Sequence, residues 1–460
     1  MSIIKFYNRG KELGLLNKIK KPFFAIIYGR RRIGKTSLIL NFLKNKDFVY
    51  LFVNPKKTEK LLLEEFSSLI KEKLKVPEYI RPSNWEEFFE LIKEYKGYVF
   101  FDEFQWFLNI NKSIPYILQK YWDLNKKPNI IICGSIIGMI KKLFIEERSP
   151  LYKRADITIE LKELSAGVIF KMLEDLGIKN LEEKFKFYIL FKGIPYYYHL
   201  IFKYNIKKFE EAIKKLIIDE NAPLRNEVED ILVESFGKEY RVYLAILYAI
   251  AEGKTKLSEI VSYAGIKETS LMPYLYDLID LLGILEKQRI GFKKKYIYLI
   301  KDNFHAFWLR FIYKYKDNLT EKVLFEKIKK ELNSFLGLAF ENTIRELAKI
   351  FFEGKYQTYM KYIGYIREKN ERKTFDIDIL AINEKTKQIL AAECKWQSKV
   401  NAEKVVKELN EKLSYVDWHK GKRKESFAIF AKSFSKRIKN YEGKKVYCFD
   451  LKEIEKALKK

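Results

Sequence analysis

The feature that most constrains the fold is an eight-residue loop between a short apolar segment and a helical one. Residues Gly29–Thr36 read GRRRIGKT, and the apolar run Phe23–Tyr28 before them is typical of a buried parallel strand. The segment Ser37–Leu43 that follows has a helical pattern. A glycine-bearing loop between a strand and a helix lets main-chain amides surround phosphate oxygens at the helix N-terminus. The sequence therefore predicts an α/β fold with a parallel sheet that binds a phosphorylated nucleotide.

The same loop supplies candidate ligands for ATP and Mg²⁺. We expect the Lys35 ammonium to contact the β- and γ-phosphates and the Thr36 hydroxyl to bind Mg²⁺. The candidate nucleotide-binding residues are Gly29, Arg30, Arg31, Arg32, Ile33, Gly34, Lys35, Thr36 and, on a later strand, Ser135. The spacing of these glycines, the lysine and the threonine is the strongest functional signal in the chain.

An acidic pair follows a second apolar run. The run Gly97–Phe101 predicts another buried strand, and Asp102 and Glu103 follow it directly. We expect this strand to neighbour the first, so that the acidic pair lies at the carboxyl edge of the sheet, where ligands bind. Asp102 is then a candidate Mg²⁺ ligand, and Glu103 is a candidate base that orients and activates the attacking water.

Two further residues are candidates for contacting the γ-phosphate. Ser135 ends a third predicted strand, Asn129–Ser135, and is either a γ-phosphate sensor or an ordinary part of the strand-to-loop transition. Arg154 precedes the strand-like segment Ala155–Leu161. It is either a cation that stabilises transition-state charge, in its own site or across subunits, or a solvated arginine. Such a catalytic arginine contributes a factor of about 10³–10⁵ in rate.

The composition favours a polyanionic partner and argues against several other classes of protein. Lys and Arg number 89 against 61 Asp and Glu, which gives a net charge of +28. This excess favours nucleic acid because basic side chains displace its counterions, although solubility alone would also explain it. Three dispersed cysteines and three dispersed histidines argue against a disulfide framework or a zinc site. With no apolar run of roughly 18 residues and no signal-peptide core, we expect a cytoplasmic protein without a membrane partner.

Taken in order, these landmarks resemble those of the archaeal ATPase family, a branch of the AAA+ and STAND-like P-loop ATPases. The segment Phe6–Arg9, with Glu12, Leu13 and Leu16, is similar to the family's opening F-x-x-R-x-x-E-L-x-x-L. Further matches are the loop, Asp102-Glu103, Gly134-Ser135, Pro150–Arg154 and Lys192–Tyr196. The resemblance implies ATPase activity and a helical lid behind the nucleotide near Gly193–Pro195. It leaves open whether the chain forms a homo-oligomer.

After Pro223 the chain predicts a different helical module. Helices at Tyr240–Ile250, Leu257–Ala264 and Thr269–Leu282, followed by a hairpin, form a winged helix-turn-helix layout. The third helix carries no Lys or Arg, so arginine readout of guanine is not available there. The wing either grips DNA phosphates or is a plain packing contact between domains. Its basic residues are Arg289, Lys293, Lys294 and Lys295.

Two strands near the C-terminus carry acids and a lysine at alternating positions. Asp376 and Asp378 share one face of a predicted strand, and Glu393 and Lys395 share a face of the next. A hairpin of these strands would gather two or three carboxylates and one lysine. Carboxylates hold Mg²⁺, which polarises a phosphodiester, and the lysine would position the attacking water. The alternative is a solvated hairpin whose polar face carries acids by ordinary alternation.

This pattern resembles the D…E-x-K signature of the PD-(D/E)XK nuclease superfamily. Glu341, in a helical run before the strands, is similar to the preceding helical glutamate of that superfamily. The resemblance implies that Glu341, Asp378 and Glu393 bind the metal and that Glu393 and Lys395 are catalytic, with Asp376 as a supporting acid. Nearby basic residues suit either a phosphate track or exposed helix faces; they are Lys420, Lys422, Arg423, Lys424, Lys432, Lys436 and Arg437.

We therefore predict a P-loop ATPase core at 1–163, a helical lid at 164–235, a winged-helix module with an aromatic helix at 236–330 and a restriction-endonuclease-like α/β domain at 331–460. In this interpretation, the nucleotide state of an ATPase controls a DNA-directed nuclease-like domain. The alternative is a nucleotide-dependent DNA-binding or signalling switch whose C-terminal domain is inactive. A chaperone-like ATPase that acts on protein is a third hypothesis.

Overall fold

A five-stranded parallel sheet carries the phosphate loop. Its strands are β1 (Phe24–Tyr28), β2 (Phe48–Phe52), β3 (Tyr98–Asp102), β4 (Asn129–Gly134) and β5 (Ile157–Glu160), in the order β2-β3-β4-β1-β5. β1, β3 and β4 are buried along their whole length, as expected for apolar strands inside a parallel sheet. The predicted α/β fold with a parallel sheet is confirmed.

The computed structural model describes residues 6–77, 79–125, 128–292, 295–368 and 371–459. Lys293 and Lys294 of the predicted wing lie outside these residues. The helices among the strands of the first sheet are α1 (Gly10–Lys18), α2 (Lys35–Leu43), α3 (Glu59–Leu74), α4 (Trp85–Ile92), α5 (Phe107–Ile110), α6 (Ile114–Asn125) and α7 (Ile137–Phe144). Helix α2 begins at the last two residues of the phosphate loop, so the loop leads directly into a helix N-terminus, as predicted.

One neighbour relation in this sheet differs from the prediction. β4 pairs with β1, and β3 lies one strand further out. The prediction that Asp102 follows a strand directly beside the loop strand is therefore wrong. The physical reason is that these strands are apolar runs of similar length, so their sequences do not specify which of them pair. Ser135, directly after β4, is the residue that follows the neighbouring strand.

The chain divides into two units. The first comprises the residues up to Leu164 together with Ile194–Tyr196 and Asp280–Leu282. The second comprises Ser165–Gly193, Tyr197–Ile279 and the chain from Gly283 onward. The second unit thus receives residues from the segments predicted as the lid, the winged-helix module and the C-terminal domain.

The second unit begins with a largely helical region. The helices between β5 and the C-terminal sheet are α8 (Ala166–Asp175), α9 (Leu181–Phe191), α10 (Pro195–Lys203), α11 (Phe209–Ala212), α12 (Glu227–Phe236), α13 (Tyr240–Ala251), α14 (Leu257–Ala264), α15 (Glu268–Tyr276), α16 (Asn303–Phe307) and α17 (Glu321–Phe351). The first two residues of α10 belong to the first unit. The antiparallel strands β6 (Leu285–Arg289) and β7 (Tyr296–Ile300) form the hairpin after α15. Helix α17 has 31 residues and runs without a break across the predicted boundary at residue 331.

A mixed six-stranded sheet organises the C-terminal part, in the order β14-β15-β12-β10-β9-β8. The strands are β8 (Thr358–Glu368), β9 (Glu371–Asn383), β10 (Gln388–Lys395), β12 (Lys424–Ala431), β14 (Asn440–Tyr441) and β15 (Lys444–Phe449). The short strands β11 (Val400–Asn401) and β13 (Phe434–Lys436) pair separately, and the helices are α18 (Ala402–Ser414) and α19 (Leu451–Leu458). β8, β9 and β10 form an antiparallel meander, and β12 pairs parallel to β10.

The β6–β7 hairpin packs against the C-terminal sheet. Glu286 of β6 forms a 3.0 Å ion pair with Arg345 of α17. The side-chain amide of Gln288 donates a 2.7 Å hydrogen bond to the carbonyl oxygen of Lys361 in β8. Of the two interpretations of the wing, these contacts favour packing between domains.

No helix within the described residues is both long and apolar enough to cross a membrane.

An aromatic cluster between the sheet and α3 and α4 should dominate the stability of the first unit. Phe66 of α3 is fully buried and contacts Trp85, Phe88 and Phe101 at centroid distances of 6.1–6.3 Å. We predict that Phe66→Ala lowers the free energy of unfolding by about 3–5 kcal/mol, because it removes buried contacts and leaves a cavity. Urea denaturation of the full-length protein, followed by tryptophan fluorescence, measures the effect.

The matched control is Leu61→Ala on the same helix, since Leu61 is 55% exposed. We expect this change to alter the free energy of unfolding by only about 0.5 kcal/mol or less. Equal effects of the two substitutions would contradict the assignment of Phe66 to the core.

Candidate functional site

Two glycines shape the phosphate loop. A Cβ on Gly29 would lie only 2.4 Å from the carbonyl oxygen of Leu161, so no other residue fits at the end of β1. Gly34 has a φ of +91°, a left-handed conformation that L side chains rarely adopt, and it immediately precedes α2. The glycine positions of the motif are thus required by a close backbone approach at Gly29 and by a positive φ at Gly34.

The lysine and threonine of the loop face polar partners. The Lys35 ammonium, 6% exposed, donates a 3.1 Å hydrogen bond to the carbonyl oxygen of Arg30. The Thr36 hydroxyl donates to Oδ2 of Asp102 at 3.0 Å. The carboxylate at the end of β3 therefore reaches the loop although β4 lies between β3 and β1.

Tyr50 in β2 is a site residue that the sequence analysis missed. Its hydroxyl donates to the same oxygen, Oδ2 of Asp102, at 3.0 Å, and the Glu103 amide donates to Oδ1 at 3.0 Å. Burial and the Asp102 carboxylate raise the pKa of Tyr50 well above its usual range, so it remains a donor. Tyr50 lies within an ordinary strand pattern, and only the pairing of β2 with β3 brings it to the site.

Glu103 is held by the residue after the neighbouring strand. Its Oε2 accepts hydrogen bonds from the Ser135 hydroxyl at 2.6 Å and from the Ser135 amide at 3.2 Å. The side-chain amide of Gln105 also donates to this oxygen. The predicted catalytic glutamate and the predicted γ-phosphate sensor are therefore in direct contact.

Arg9 is a second residue whose role the sequence analysis did not assign. Its guanidinium donates to the carbonyl oxygen of Ile33 at 3.4 Å and to that of Lys162 at 2.8 Å, and it pairs with Glu12 at 3.3 Å. Burial lowers the pKa of Arg9, against the opposing effect of Glu12. The opening motif thus ties α1 to the phosphate loop, a link between distant positions that local patterns do not reveal.

The structure gives Arg154 a partner of its own. Its Nε donates to both carboxylate oxygens of Asp123 in α6 at 3.0 and 3.1 Å, and a terminal nitrogen donates to the carbonyl oxygen of Tyr152. Within the described part of the chain, the contacts found for Arg154 join it to α6 and to its own loop, and none is to a residue of the phosphate loop. The hypothesis that it stabilises transition-state charge would require this ion pair to open.

The donor set around Asp102 suits Mg²⁺. A hydroxyl and a carboxylate oxygen lie 3.0 Å apart, and hard oxygen donors completed by phosphate and water oxygens are the ligands Mg²⁺ prefers. Thr36 and Asp102 would therefore hold the ion. The present acceptor of Lys35 is a neutral carbonyl, and a charged phosphate oxygen accepts a stronger hydrogen bond.

A second cluster lies where β9, β10 and α17 meet. Asp378 and Glu393 are each 8% exposed, and Oδ2 of Asp378 accepts a 2.8 Å hydrogen bond from the Cys394 amide. Burial, together with the nearby carboxylates of Glu341 and Glu393, raises the pKa of Asp378 well above its usual range. The alternation in the two strands thus places these acids together, as the sequence predicted.

Cations surround the acids of this cluster. The Lys395 ammonium lies 2.7 Å from Oε1 of Glu393, which confirms that the two share a face. Lys361 of β8 contacts Glu341 at 2.8 Å and Asp376 at 3.2 Å, and Arg345 contacts Glu341 at 3.4 Å. Burial lowers the pKa of Lys361, but Glu341, Asp376 and Asp378 raise it by more, so this lysine is charged.

The predicted metal site is only partly formed. No three His, Cys, Asp or Glu side chains of the described residues converge closely enough to hold an ion. Oε2 of Glu393 is buried and accepts no hydrogen bond within that part of the chain; Lys412 of α18 lies 3.5 Å away. Because Mg²⁺ is commonly bound through one or two carboxylates and water, Asp378 and Glu393 fit such an ion.

One of the basic residues at positions 420–437 fits neither the phosphate track nor the exposed helix faces that the sequence suggested for them. Arg423 is buried, with its side chain 2% exposed, and donates to the carbonyl oxygens of Leu413, Val416 and Trp418. It supports the turn after α18, so its assignment to a phosphate track or an exposed face is wrong. Three more of these basic residues form ion pairs that neutralise their charge: Lys432 with Glu182, Lys436 with Glu403 and Arg437 with Glu453.

Comparisons with known proteins agree with the first of these two sites. Residues 6–201 match the family of ATPase domains predominantly from Archaea, and residues 308–406 match a family described as "Archaea bacterial proteins of unknown function". An uncharacterized ATP-binding protein of Methanocaldococcus jannaschii is 49% identical over 47 residues, which cover 10% of this chain and 80% of that protein.

Two solved structures show a partial likeness. A Walker-type ATPase of Pyrococcus abyssi aligns with 66% of this chain and 96% of its own, with a TM-score of 0.49 and 21% identity. The ORC1 protein of Aeropyrum pernix, in complex with DNA, aligns with 67% of this chain over 93% of its own length. The TM-score is 0.38 and the identity is 11%.

A second protein of M. jannaschii, also uncharacterized, is similar over the full length. It is 30% identical over 464 residues, which cover 98% of this chain and all of that protein. The chain therefore belongs to the same family as this M. jannaschii protein, and its N-terminal domain is an archaeal ATPase domain.

Proposed function

We propose that the N-terminal domain hydrolyses ATP and that its nucleotide state controls a metal-dependent, nuclease-like C-terminal domain that acts on DNA. The observation that carries the proposal is that one chain holds two separate sets of groups suited to phosphate chemistry. The first set is Lys35, Thr36, Asp102 and Glu103, and the second is Asp378, Glu393 and Lys395.

The first set supports hydrolysis. Lys35 and Mg²⁺ held by Thr36 and Asp102 would neutralise charge on the transferring phosphoryl group. Glu103 would orient the attacking water once it leaves its hydrogen bonds to Ser135, whose hydroxyl would then be available to the γ-phosphate. Occupation of the site by ATP would thus reorganise two side chains that are hydrogen-bonded to each other in the structure.

The second set supports phosphodiester cleavage. Asp378 and Glu393 would hold one divalent ion, which polarises the phosphate and lowers the pKa of its bound water. Lys395 would position that water or neutralise developing charge. DNA as the substrate is favoured by the net charge of +28, because counterion release strengthens binding to a polyanion.

A specific observation favours the alternative, a DNA-binding or signalling switch with an inactive C-terminal domain. Lysines and an arginine already pair with three of the four acids in the C-terminal cluster. A cluster neutralised in this way can be a stable structural network without a metal. Measurement of cleavage separates the two functions.

For the ATPase, we predict that Lys35→Ala weakens ATP binding roughly 10- to 150-fold, since charged hydrogen bonds contribute about 1.5–3 kcal/mol. Glu103→Gln should leave binding of Mg²⁺-ATP within about threefold while lowering turnover by roughly 10²–10⁴, the usual contribution of a general base. Titration with a fluorescent ATP analogue and phosphate release measure the two effects. The control is Lys44→Ala, at an exposed position after α2. Full turnover by Glu103→Gln would refute the assigned role.

For the C-terminal domain, we predict that wild-type protein with ATP and Mg²⁺ or Mn²⁺ converts supercoiled plasmid to nicked or linear forms. Glu393→Gln and Lys395→Ala should each lower the cleavage rate roughly 10²-fold or more, because each removes a group of the reacting site. The Lys35→Ala variant should still cleave the plasmid, but ATP should not change its cleavage rate. Lys452→Ala, at an exposed position on α19, serves as the control. DNA binding without cleavage under either metal would establish the alternative.

A further inference from the structure

Lys361 divides the C-terminal acidic cluster into two parts. Its ammonium lies between Glu341 and Asp376, at 2.8 and 3.2 Å, and its side chain is only 18% exposed. Arg345 adds a second cation on Glu341 at 3.4 Å. Both acids of the Glu341–Asp376 part are therefore paired with positive groups of the chain itself, and Arg345 also pairs with Glu286.

The other part of the cluster also has cations: Lys395 lies 2.7 Å from Oε1 of Glu393, and Lys412 lies 3.5 Å from Oε2. Within the described chain, Oε2 of Glu393 accepts no hydrogen bond although it is buried, and Asp378 lies beside it with one amide donor on Oδ2. A buried carboxylate oxygen without a hydrogen bond is costly, and a bound cation would relieve that cost. The carboxylate oxygen without a hydrogen bond therefore favours this side of the cluster as the place for a divalent ion.

Lys361 is held in place through its own backbone. Its carbonyl oxygen accepts the 2.7 Å hydrogen bond from Gln288 of the β6–β7 hairpin, and its strand pairs with β9, which carries both aspartates. Displacing the ammonium would leave a largely buried, unpaired lysine, which is strongly unfavourable. A metal ion therefore competes poorly for Glu341 and Asp376.

We propose that Lys361 is a built-in cation that takes the place of a second divalent ion, so that the C-terminal site binds one ion, between Asp378 and Glu393. This inference rests on the proposed nuclease-like function and specifies its metal requirement. Lys361 is thus a positioning residue: it fixes Glu341 and supplies positive charge that a second metal would supply in a two-metal site.

Mn²⁺ binding to the nucleotide-free full-length protein, measured by calorimetry and electron paramagnetic resonance, tests this proposal. We expect one Mn²⁺ in the wild type, and its loss in Glu393→Gln. Lys361→Met should bind a second Mn²⁺ through Glu341 and Asp376, whereas Lys361→Arg should still bind one. Adding Asp376→Asn to Lys361→Met should weaken or remove the second ion.

Each outcome has a distinct meaning. Equal stoichiometry in the wild type and in Lys361→Met, or two ions in the wild type, overturns the role of Lys361 and leaves the proposed function standing. If neither the wild type nor any variant binds Mn²⁺, the proposed metal-dependent function itself is refuted. If Lys361→Met does not fold, as circular dichroism would show, Lys361→Gln provides the same comparison with a polar side chain.

A different observation, a buried lysine at the end of α9, carries a second inference. Lys192 is 5% exposed, and its ammonium contacts the Thr343 hydroxyl at 3.0 Å and Oε2 of Glu346 at 2.8 Å. Both partners lie in α17. The contact joins the residue before Gly193 to the helix that also carries Glu341.

The two partners of Lys192, Thr343 and Glu346, lie on the opposite face of α17 from Glu341 of the acidic cluster. At about 100° per residue, Glu341 and Arg345 lie about 40° apart and Thr343 and Glu346 about 60° apart, while the two pairs point about 150° away from each other. The pairs overlap along the helix axis. A shift or rotation of α17 at the Lys192 contact would therefore move Glu341 directly.

The chain beyond Lys192 leads to the phosphate loop. Gly193 is the last residue of its segment in the second unit, and Ile194–Tyr196 belong to the first. Within the first unit, the guanidinium of Arg32 lies over the Tyr196 ring at 3.9 Å. Only three residues thus separate Lys192, which contacts α17, from Tyr196, which contacts the loop that would bind the triphosphate.

We infer that the segment from Tyr196 to Lys192 transmits nucleotide state from the phosphate loop to α17. This inference rests on the proposed control of the C-terminal domain by ATP. Nucleotide binding would alter the Arg32–Tyr196 contact, the covalent connection would carry the change to Lys192, and the Lys192 contact would carry it to α17.

Hydrogen exchange of the full-length protein, with and without a non-hydrolysable ATP analogue, tests this path. We expect the analogue to change exchange in α17 of the wild type at least twofold, and expect that change to disappear in Lys192→Met and to shrink in Thr343→Val. The phosphate loop should remain protected by the analogue in both variants. Lys186→Met, at a partly buried ion pair within α9, is the control.

An unchanged nucleotide response of α17 in both variants, or no response in the wild type, overturns this inference. Retained plasmid cleavage in those cases would show that the proposed nuclease-like function survives without this path. Thr343→Val keeps the test usable if Lys192→Met does not fold.

Discussion

The hydrogen bond between Thr36 and Asp102 is the interaction on which the N-terminal site depends. It joins the loop after β1 to the carboxylate of the last residue of β3, two strands away. It therefore requires the strand order, the start of α2 and the lengths of both strands to be correct together. Gly29 must pass within contact of the Leu161 carbonyl for the loop to begin at this level. The 3.0 Å hydrogen bond between Thr36 and Asp102 therefore forms only when most of the first unit is correctly packed.

Much of this site could be predicted because its determinants are local. A loop between an apolar run and a helix, and an acidic pair after another run, are contiguous patterns in which each residue's role follows from its neighbours. Strand order was mispredicted because pairing depends on contacts between distant apolar runs. Tyr50 and Arg9 were missed for the same reason: each reaches the site by a contact that only the folded chain creates.

The C-terminal cluster shows the same division. Alternation within two strands was enough to place Asp376 and Asp378 on one face and Glu393 beside Lys395. The cations that neutralise the acids come from β8, α17 and α18, and no local pattern marks Lys361 or Lys412 as partners. Arg423 shows the converse error, since a basic stretch gives no sign that one of its members is buried under three carbonyl oxygens.

Helix α17 has a consequence for how the chain can be divided. It begins at Glu321, among the residues predicted for the middle module, and ends at Phe351, beside the C-terminal sheet. Its Arg345 also pairs with Glu286 of the hairpin. Cutting the polypeptide anywhere within these 31 residues would leave each fragment with only part of the helix against which both regions pack. Neither fragment could then fold, be exchanged between proteins or be expressed as an independent domain.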